Sequence, residues 1–166
     1  MQKKVYQLLA NNTSGVLSRI TGLFSRRGYN IESITAGVTA DPKYSRVTIV
    51  TSGDDAVLEQ IEKQLAKLVD IQIVKELKEG ESVYRELALV KVRCAPDERP
   101  SVIAITDIFR GKIVDVASDC LIIEITGDVE KIDKFLDLLE GHEILELART
   151  GMAGLSRGME NVVFLP

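Results

Sequence analysis

The sequence predicts an α+β protein with two ferredoxin-like domains, because the order βαββαβ occurs twice along its 166 residues. In both halves, apolar residues at helical spacing alternate with short β-branched runs. Local sequence repeats as well: Ser52-Gly53-Asp54 precedes a helix in the first half, and Thr126-Gly127-Asp128 precedes one in the second. An internal repeat of this kind indicates two copies of one supersecondary unit.

The first half contains signals for four strands and two helices. The first helix is expected over Val16–Arg27, because the basic residues of its last turn suit the negative end of the helix dipole and Gly28 ends it. Asp54 or Asp55 is expected to cap the second helix, in which Glu59 and Lys63 form an i, i+4 pair. The strands are expected over residues 5–9, 31–38, 46–51 and 71–77.

The second half repeats this order after a charged, glycine-bearing linker. The linker covers residues 79–83, so the domains are expected at 1–78 and 84–166. Strands are expected over 84–94, 113–116, 121–126 and 144–148, with one helix over 102–110 and another capped by Asp128. The glycine-rich segment 151–158 is predicted to be a flexible tail that a partner orders.

Composition narrows the class of protein. A net charge of −4 without a basic stripe predicts no nucleic-acid partner. Cys94 and Cys120 lie in apolar runs without a CxxC or Cys/His cluster, so neither a disulfide nor a metal site is expected. Residues 1–6 do not resemble a signal peptide, and no apolar run approaches the length of a membrane span. We therefore expect a cytoplasmic protein that does not enter a membrane.

A glycine at the start of the first helix indicates a binding site for a small zwitterion. Gly15 follows Asn12-Thr13-Ser14, where the first strand passes into the helix. The first helical turn has unpaired N–H groups, and a residue without Cβ lets a ligand approach them closely. Neutral amides at Asn12 and Asn30 can donate and accept hydrogen bonds. Donors for a carboxylate and acceptors for an ammonium together predict a free amino acid as the ligand.

A purely structural interpretation of these residues stays open. Gly15 can serve as an ordinary helix cap, and Asn30 can adopt the turn conformation that follows Gly28. Two observations favour binding: Ser14 can already provide the cap, and the equivalent loop of the second repeat is rich in proline and charge. The ends of such a helix are separated by roughly 18–20 Å, so Asn30 can reach a ligand at Gly15 only from a neighbouring chain. Because each unit leaves a sheet face and an edge strand open, we expect a dimer.

No catalytic set of side chains is expected. His142 is the single histidine and is predicted to lie exposed in a turn, while the carboxylates near the helix starts are predicted to be caps or surface charge. An RNA-binding module would require aromatic residues on a basic sheet face, and the strand at 46–50 has none. An enzyme of the acylphosphatase type would require an arginine-bearing phosphate loop, which the sequence lacks.

Several ordered motifs span nearly the whole chain. They include Asn12-x-Ser-Gly15, Gly28-Tyr29-Asn30-Ile31-Glu32-Ser33, Leu89-Val90-Lys91 and Ile108-Phe109-Arg110-Gly111. Together these motifs resemble the small, regulatory subunits of acetolactate synthase, also called acetohydroxyacid synthase. The resemblance implies an N-terminal ACT domain and a C-terminal ferredoxin-like domain.

The resemblance also implies a function. In that family the ACT domain binds valine, and often leucine or isoleucine, at a dimer interface. The matching residues are Asn12, Gly15, Val16 and Leu17 from one chain and Asn30 and Ile31 from the other.

The family's small subunit carries no catalytic residues or cofactor. It activates a separate large catalytic subunit that holds thiamine diphosphate, Mg²⁺ and FAD, and it confers feedback inhibition by valine in branched-chain amino acid biosynthesis. The alternative is a free-standing ACT-type amino-acid sensor of another pathway.

Overall fold

The computed structural model describes residues 1–159 and consists of two compact units. The first unit comprises Met1–Tyr84 together with residues 152–159, and the second comprises Arg85–Gly151. The tail therefore belongs to the first unit, whereas the sequence analysis assigned it to a second domain covering 84–166. Residues 160–166 of that assignment lie outside the described residues.

The first unit has the predicted βαββαβ order. Its elements are β1 (Gln2–Asn11), α1 (Val16–Arg27), β2 (Ile31–Val38), β3 (Tyr44–Gly53), α2 (Asp55–Leu65) and β4 (Ile71–Glu76). The strands form an antiparallel sheet in the order β2-β3-β1-β4. Strand β2 is thus an edge strand.

The core of the first unit lies between this sheet and its two helices. Alternate residues of β1, such as Tyr6 and Leu8, are fully buried against apolar side chains of α1 and α2. The hydroxyl of Tyr6 donates to the carbonyl oxygen of Leu58 at 2.9 Å, which satisfies its only buried polar atom. Helix α2 contributes Leu58, Ile61 and Leu65, all fully buried.

In the first unit, local signals determine the helix ends as predicted, with one exception. Asp54 accepts a hydrogen bond from the N–H of Val57 at 2.8 Å and caps α2. Gly28 ends α1 with a φ of 67°, which a glycine adopts without steric cost. The start of α1 differs from the expectation that Ser14 is the cap. Gly15 is itself the N-cap residue, with a φ of 85° and no side-chain cap.

The second unit repeats the fold. Its elements are β5 (Ser82–Arg93), which begins at the end of the first unit, α3 (Arg99–Ile108), β6 (Lys112–Val116), β7 (Cys120–Gly127), α4 (Val129–Leu138) and β8 (Ile144–Arg149). The strand order β6-β7-β5-β8 matches that of the first sheet. Asp128 caps α4 as predicted, accepting from the N–H of Lys131 at 2.8 Å. Helix α3 begins earlier than expected because Pro100 suits a first helical turn.

The tail forms a strand that the sequence analysis did not predict. Strand β9 (Ala153–Ser156) pairs with β5. The buried Gln7 amide, on the sheet face opposite α1 and α2, donates to the carbonyl oxygen of Gly154 at 2.8 Å. Beside this contact lies an apolar cluster of Val5, Val50, Leu77, Tyr84 and Met152. The prediction of a flexible tail is therefore wrong for residues 153–156, because these contacts order them within the same chain.

Two smaller expectations also change. His142 lies in a bend but is half-buried rather than exposed, and its Nδ1 atom is buried without a hydrogen-bond partner among the described residues. Cys94 is fully buried as expected for a small core residue, whereas Cys120 is half-buried; both are free thiols.

Candidate functional site

A cavity of about 350 Å³ opens where β1 passes into α1. It is bounded by the connecting loop, the first turn of α1, and side chains from β2 and β3. Its lining residues are Asn11, Asn12, Thr13, Gly15, Val16, Leu17, Ser18, Ala36, Ser45 and Val47. The structure thus brings together four of the six predicted site residues: Asn12, Gly15, Val16 and Leu17.

The start of α1 offers backbone donors to this cavity. Within residues 1–159, the N–H groups of Leu17 and Ser18 have no hydrogen-bond acceptor, because Gly15 has no side chain to cap them. The first turn of α1 also contains no acidic residue. Unpaired N–H groups at the positive end of a helix dipole favour an anionic group such as a carboxylate.

Asn12 is fixed in place at the edge of the cavity. Its backbone N–H donates to the carbonyl oxygen of Lys43 at 2.7 Å. Its side-chain Nδ2 donates to the carbonyl oxygen of Pro42 at 2.9 Å, and its Oδ1 accepts from the Ser45 hydroxyl at 3.2 Å. The amide is therefore attached to the loop before β3 and to the first residues of that strand.

The remaining wall of the cavity is aliphatic. Val16 and Val47 are buried, and Ala36 pairs with Val47 across β2 and β3. Leu17 is 47% exposed and lines the cavity. A polar end with N–H donors and an aliphatic wall together suit a small amino acid with a branched apolar side chain.

Arg19 is a neighbour of the site that sequence reasoning missed. Its Nε donates to a carboxylate oxygen of Asp70 at 2.5 Å, and the backbone carbonyl oxygen of Asp70 accepts from the backbone N–H of Asn11 at 2.8 Å. A Cβ built on Gly15 would lie 3.0 Å from the Arg19 guanidinium. The i, i+4 spacing of Gly15 and Arg19 on one helix start could have indicated this contact.

Ala36, Ser45 and Val47 were also absent from the predicted site. Their participation follows from strand register: Ser45 pairs with Ala10, and Val47 pairs with both Leu8 and Ala36. Residues that pair directly share a face of the sheet, so all of these side chains lie on the face that carries α1. The alternation of residues in β3 contained this signal, but the pairing partners did not follow from the sequence.

The structure does not bring Asn30 and Ile31 to the same cavity. Asn30 is exposed at the far end of α1, where its carbonyl oxygen accepts from the Thr51 hydroxyl at 2.6 Å. Ile31 pairs with Thr51 at the start of the edge strand β2. Helix α1 has 12 residues. At a rise of about 1.5 Å per residue it separates these two residues from Gly15 by about 18 Å.

Within residues 1–159, no three His, Cys, Asp or Glu side chains are grouped so that they could hold a metal ion. No helix in this described range combines the length and apolarity needed to cross a lipid bilayer.

The first unit, a βαββαβ fold with a cavity at the start of its first helix, has the architecture of an ACT domain, a regulatory module. Residues 6–73 match the family model described as an AHAS small subunit-like ACT domain, and residues 85–158 match the one described as the small subunit of acetolactate synthase. The chain belongs to the family of acetolactate synthase small subunits.

Similar proteins agree along nearly the full length of the chain. A probable acetolactate synthase small subunit from Methanothermobacter thermautotrophicus is 52% identical, covering 93% of this chain and 92% of that protein. The isozyme 3 small subunit of Escherichia coli is 49% identical, covering 94% and 96% respectively. The crystal structure of the Thermotoga maritima small subunit superimposes with a TM-score of 0.87 at 40% identity, covering 98% of this chain and 100% of that one.

Membership in this family makes the chain a regulatory subunit and not the catalytic one. A small subunit implies a catalytic partner, so the protein acts in a complex. The relatives from Methanothermobacter thermautotrophicus and Escherichia coli are named as small subunits, which argues against the alternative of a free-standing sensor.

Proposed function

We propose that this subunit activates the thiamine-diphosphate-dependent large subunit of acetolactate synthase and makes it sensitive to branched-chain amino acids, valine foremost. The large subunit, with thiamine diphosphate, Mg²⁺ and FAD, carries out all bond making. The small subunit binds a branched-chain amino acid, the end product of the pathway, so the activity of the large subunit depends on the concentration of that amino acid. By reciprocity, the catalytic partner and the effector alter each other's affinity for this chain.

The cavity at the start of α1 is the observation that supports this proposal. The effector's carboxylate binds the free N–H groups of the first turn, where no acidic residue opposes it. Its ammonium binds the side-chain oxygen of Asn12. Its isopropyl group lies against Val16, Ala36 and Val47. A volume of about 350 Å³ is at the small end of ligand cavities and is ample for one amino acid.

A second copy of the chain completes the site in this proposal. Asn30 and Ile31 lie at the start of the edge strand β2, whose outer backbone groups are open to pairing. When two first units pair through this edge, Asn30 of the partner subunit supplies a further amide to the ammonium. Effector binding then favours the paired geometry, which the catalytic subunit detects.

Titration of the small subunit into its catalytic partner tests the proposal directly. Acetolactate formation is measured at increasing small subunit, with and without valine. We expect stimulation without valine and loss of activity when valine is added. Valine that binds the small subunit in calorimetry without changing activity would instead support a free-standing sensor.

Replacement of Gly15 by aspartate tests the location of the site. The new carboxylate lies beside the effector's carboxylate and also competes with Asp70 for Arg19. The two carboxylates repel each other across a few ångströms at an effective dielectric constant of about 20. This repulsion should lower the valine affinity by about 100-fold or more. Stimulation of the catalytic subunit should persist, since the substitution is confined to the cavity.

Gly80→Asp is the matched control. Gly80 has a φ of 80°, close to the 85° of Gly15, and has no atom within 4 Å of its Cβ position. The backbone strain and the added charge are therefore similar, but the position is remote from the cavity. Equal valine affinity in the wild type and in Gly15→Asp would show that the effector binds elsewhere.

A further inference from the structure

We infer that Ser45 is a positioning residue of the effector site, which orients the Asn12 amide so that its oxygen faces the ligand's ammonium. This inference rests on the proposed function, because it assigns a role within the same cavity. Ser45 touches the amide and not the α1 N–H groups, so it acts through Asn12.

The orientation of the Asn12 amide follows from its neighbours. The two ends of an asparagine amide have similar shapes, and the hydrogen-bond network decides which end is the nitrogen. The Pro42 carbonyl oxygen can only accept, so the group 2.9 Å from it must be the NH₂. The oxygen must then lie on the other side, where the Ser45 hydroxyl donates to it at 3.2 Å.

This arrangement leaves a lone pair of Oδ1 for the ligand. A carbonyl-type oxygen accepts two hydrogen bonds, and Ser45 occupies one of its positions. Ser45 and Asn12 both line the cavity, and Ser45 lies on the sheet face that carries α1. Without the Ser45 hydroxyl, the exposed Asn12 side chain keeps only the Pro42 contact and samples other rotamers, so the ammonium meets its acceptor less often.

An isosteric pair of variants isolates the hydroxyl. Ser45→Thr keeps the donor and Ser45→Val has the same shape without it, and both suit a β-strand. For loss of one hydrogen bond, we expect valine affinity about fivefold to tenfold lower in Ser45→Val than in Ser45→Thr. The melting temperatures of the two variants are also measured, because a packing defect would lower the melting temperature and the valine affinity together.

A ligand without the ammonium separates positioning from a general defect. 2-Hydroxy-3-methylbutanoate keeps the carboxylate and the isopropyl group of valine. If Ser45 acts on the ammonium through Asn12, the preference for valine over this hydroxy acid should decrease in Ser45→Val. In an Asn12→Ala background, changing Ser45 from threonine to valine should have no further effect on valine affinity.

The outcomes distinguish this inference from the proposed function. Wild-type protein that binds no valine overturns both. Wild-type protein that binds valine, with Ser45→Thr and Ser45→Val binding it equally well, overturns only the role of Ser45. The role of Ser45 is also overturned if Ser45→Val lowers valine affinity by the same factor in the Asn12→Ala background as in the wild type. Ser45 would then act by a route that does not involve Asn12.

Discussion

Replacing Gly154 by valine should destabilise the first unit, because no side chain fits between β9 and its neighbours. A Cβ built at this position would lie 2.8 Å from Cδ1 of Leu77 and 2.8 Å from Cδ1 of Tyr84. Real Cβ atoms do not approach other carbons so closely, so either the neighbours or the strand must move. The ring of Tyr84 is also held by its hydroxyl, which donates to the Leu77 carbonyl oxygen at 2.6 Å.

Two responses compete, and the less costly one determines the loss of stability. Forcing extra atoms into a packed region costs about 1–3 kcal/mol. Releasing β9 instead breaks the hydrogen bonds Gln7–Gly154, Lys75–Ser156 and Arg157–Glu81, each worth about 1 kcal/mol net. The less costly route therefore gives about 1–3 kcal/mol, which corresponds to roughly 2–12 °C in melting temperature for a chain of this size.

Scanning calorimetry of the Gly154→Val and Gly141→Ala variants measures this effect. Gly141 has no atom within 4 Å of its Cβ position, and its alanine variant should melt within about 2 °C of the wild type. Tryptic cleavage after Arg157 should also accelerate in Gly154→Val if β9 is released. A Gly154→Val protein that melts with the wild type and resists trypsin equally would refute the close packing of this strand.

Three further predictions concern buried or capping groups. Arg149→Met should lower the free energy of unfolding in urea by about 3 kcal/mol or more, because it leaves the Glu86 carboxylate, which is 4% exposed, without its two hydrogen bonds. Adding Glu86→Gln to the same chain should restore part of the lost stability. Asp54→Ala and Asp128→Ala should each cost about 1 kcal/mol, and a clearly smaller loss at either would contradict its role as a cap. Burial raises the pKa of the Cys94 thiol, so iodoacetamide at about pH 8 should label it by mass spectrometry only after unfolding.

Elements with local signals at both ends could be predicted from the sequence to the residue. Helix α1 and strand β2 have the expected bounds, because Gly28 ends the helix and the alternating residues begin three positions later. The aspartates before α2 and α4 likewise determine where those helices start. Strand ends were less accurate, since hydrogen bonding extends β1 and β3 into polar residues that no hydrophobic pattern marks.

Strand β9 could not be predicted because its contacts are distant in sequence. The hydrogen bond that fixes Gly154 comes from Gln7, 147 positions away. Within residues 151–158 there is no periodicity, and three glycines in eight positions are typical of a loop. Glycine is present at 154 because of close approach between chain segments, a requirement that only the folded structure reveals.

The candidate site shows the same division between local and distant information. Asn12, Gly15, Val16 and Leu17 lie within six positions of one strand-to-helix connection, so a local motif was sufficient to find them. Ala36, Ser45 and Val47 join the cavity through strand pairing, which depends on register. The contribution of Asn30 stays a prediction, because it requires a second copy of the chain.

The first helices of the two repeats differ in how the N–H groups at their starts are paired. In the second unit, α3 has no side-chain cap either, but Pro100 brings no N–H, and Ser101 and Val102 both donate to the Glu98 carbonyl oxygen. In the first unit, Gly15 turns the chain at a φ of 85° and leaves later N–H groups of the helix unpaired. An unsatisfied helix start costs about 1 kcal/mol relative to a capped one. This difference between the two copies of the fold supports the proposal that the unpaired N–H groups of α1 bind a ligand.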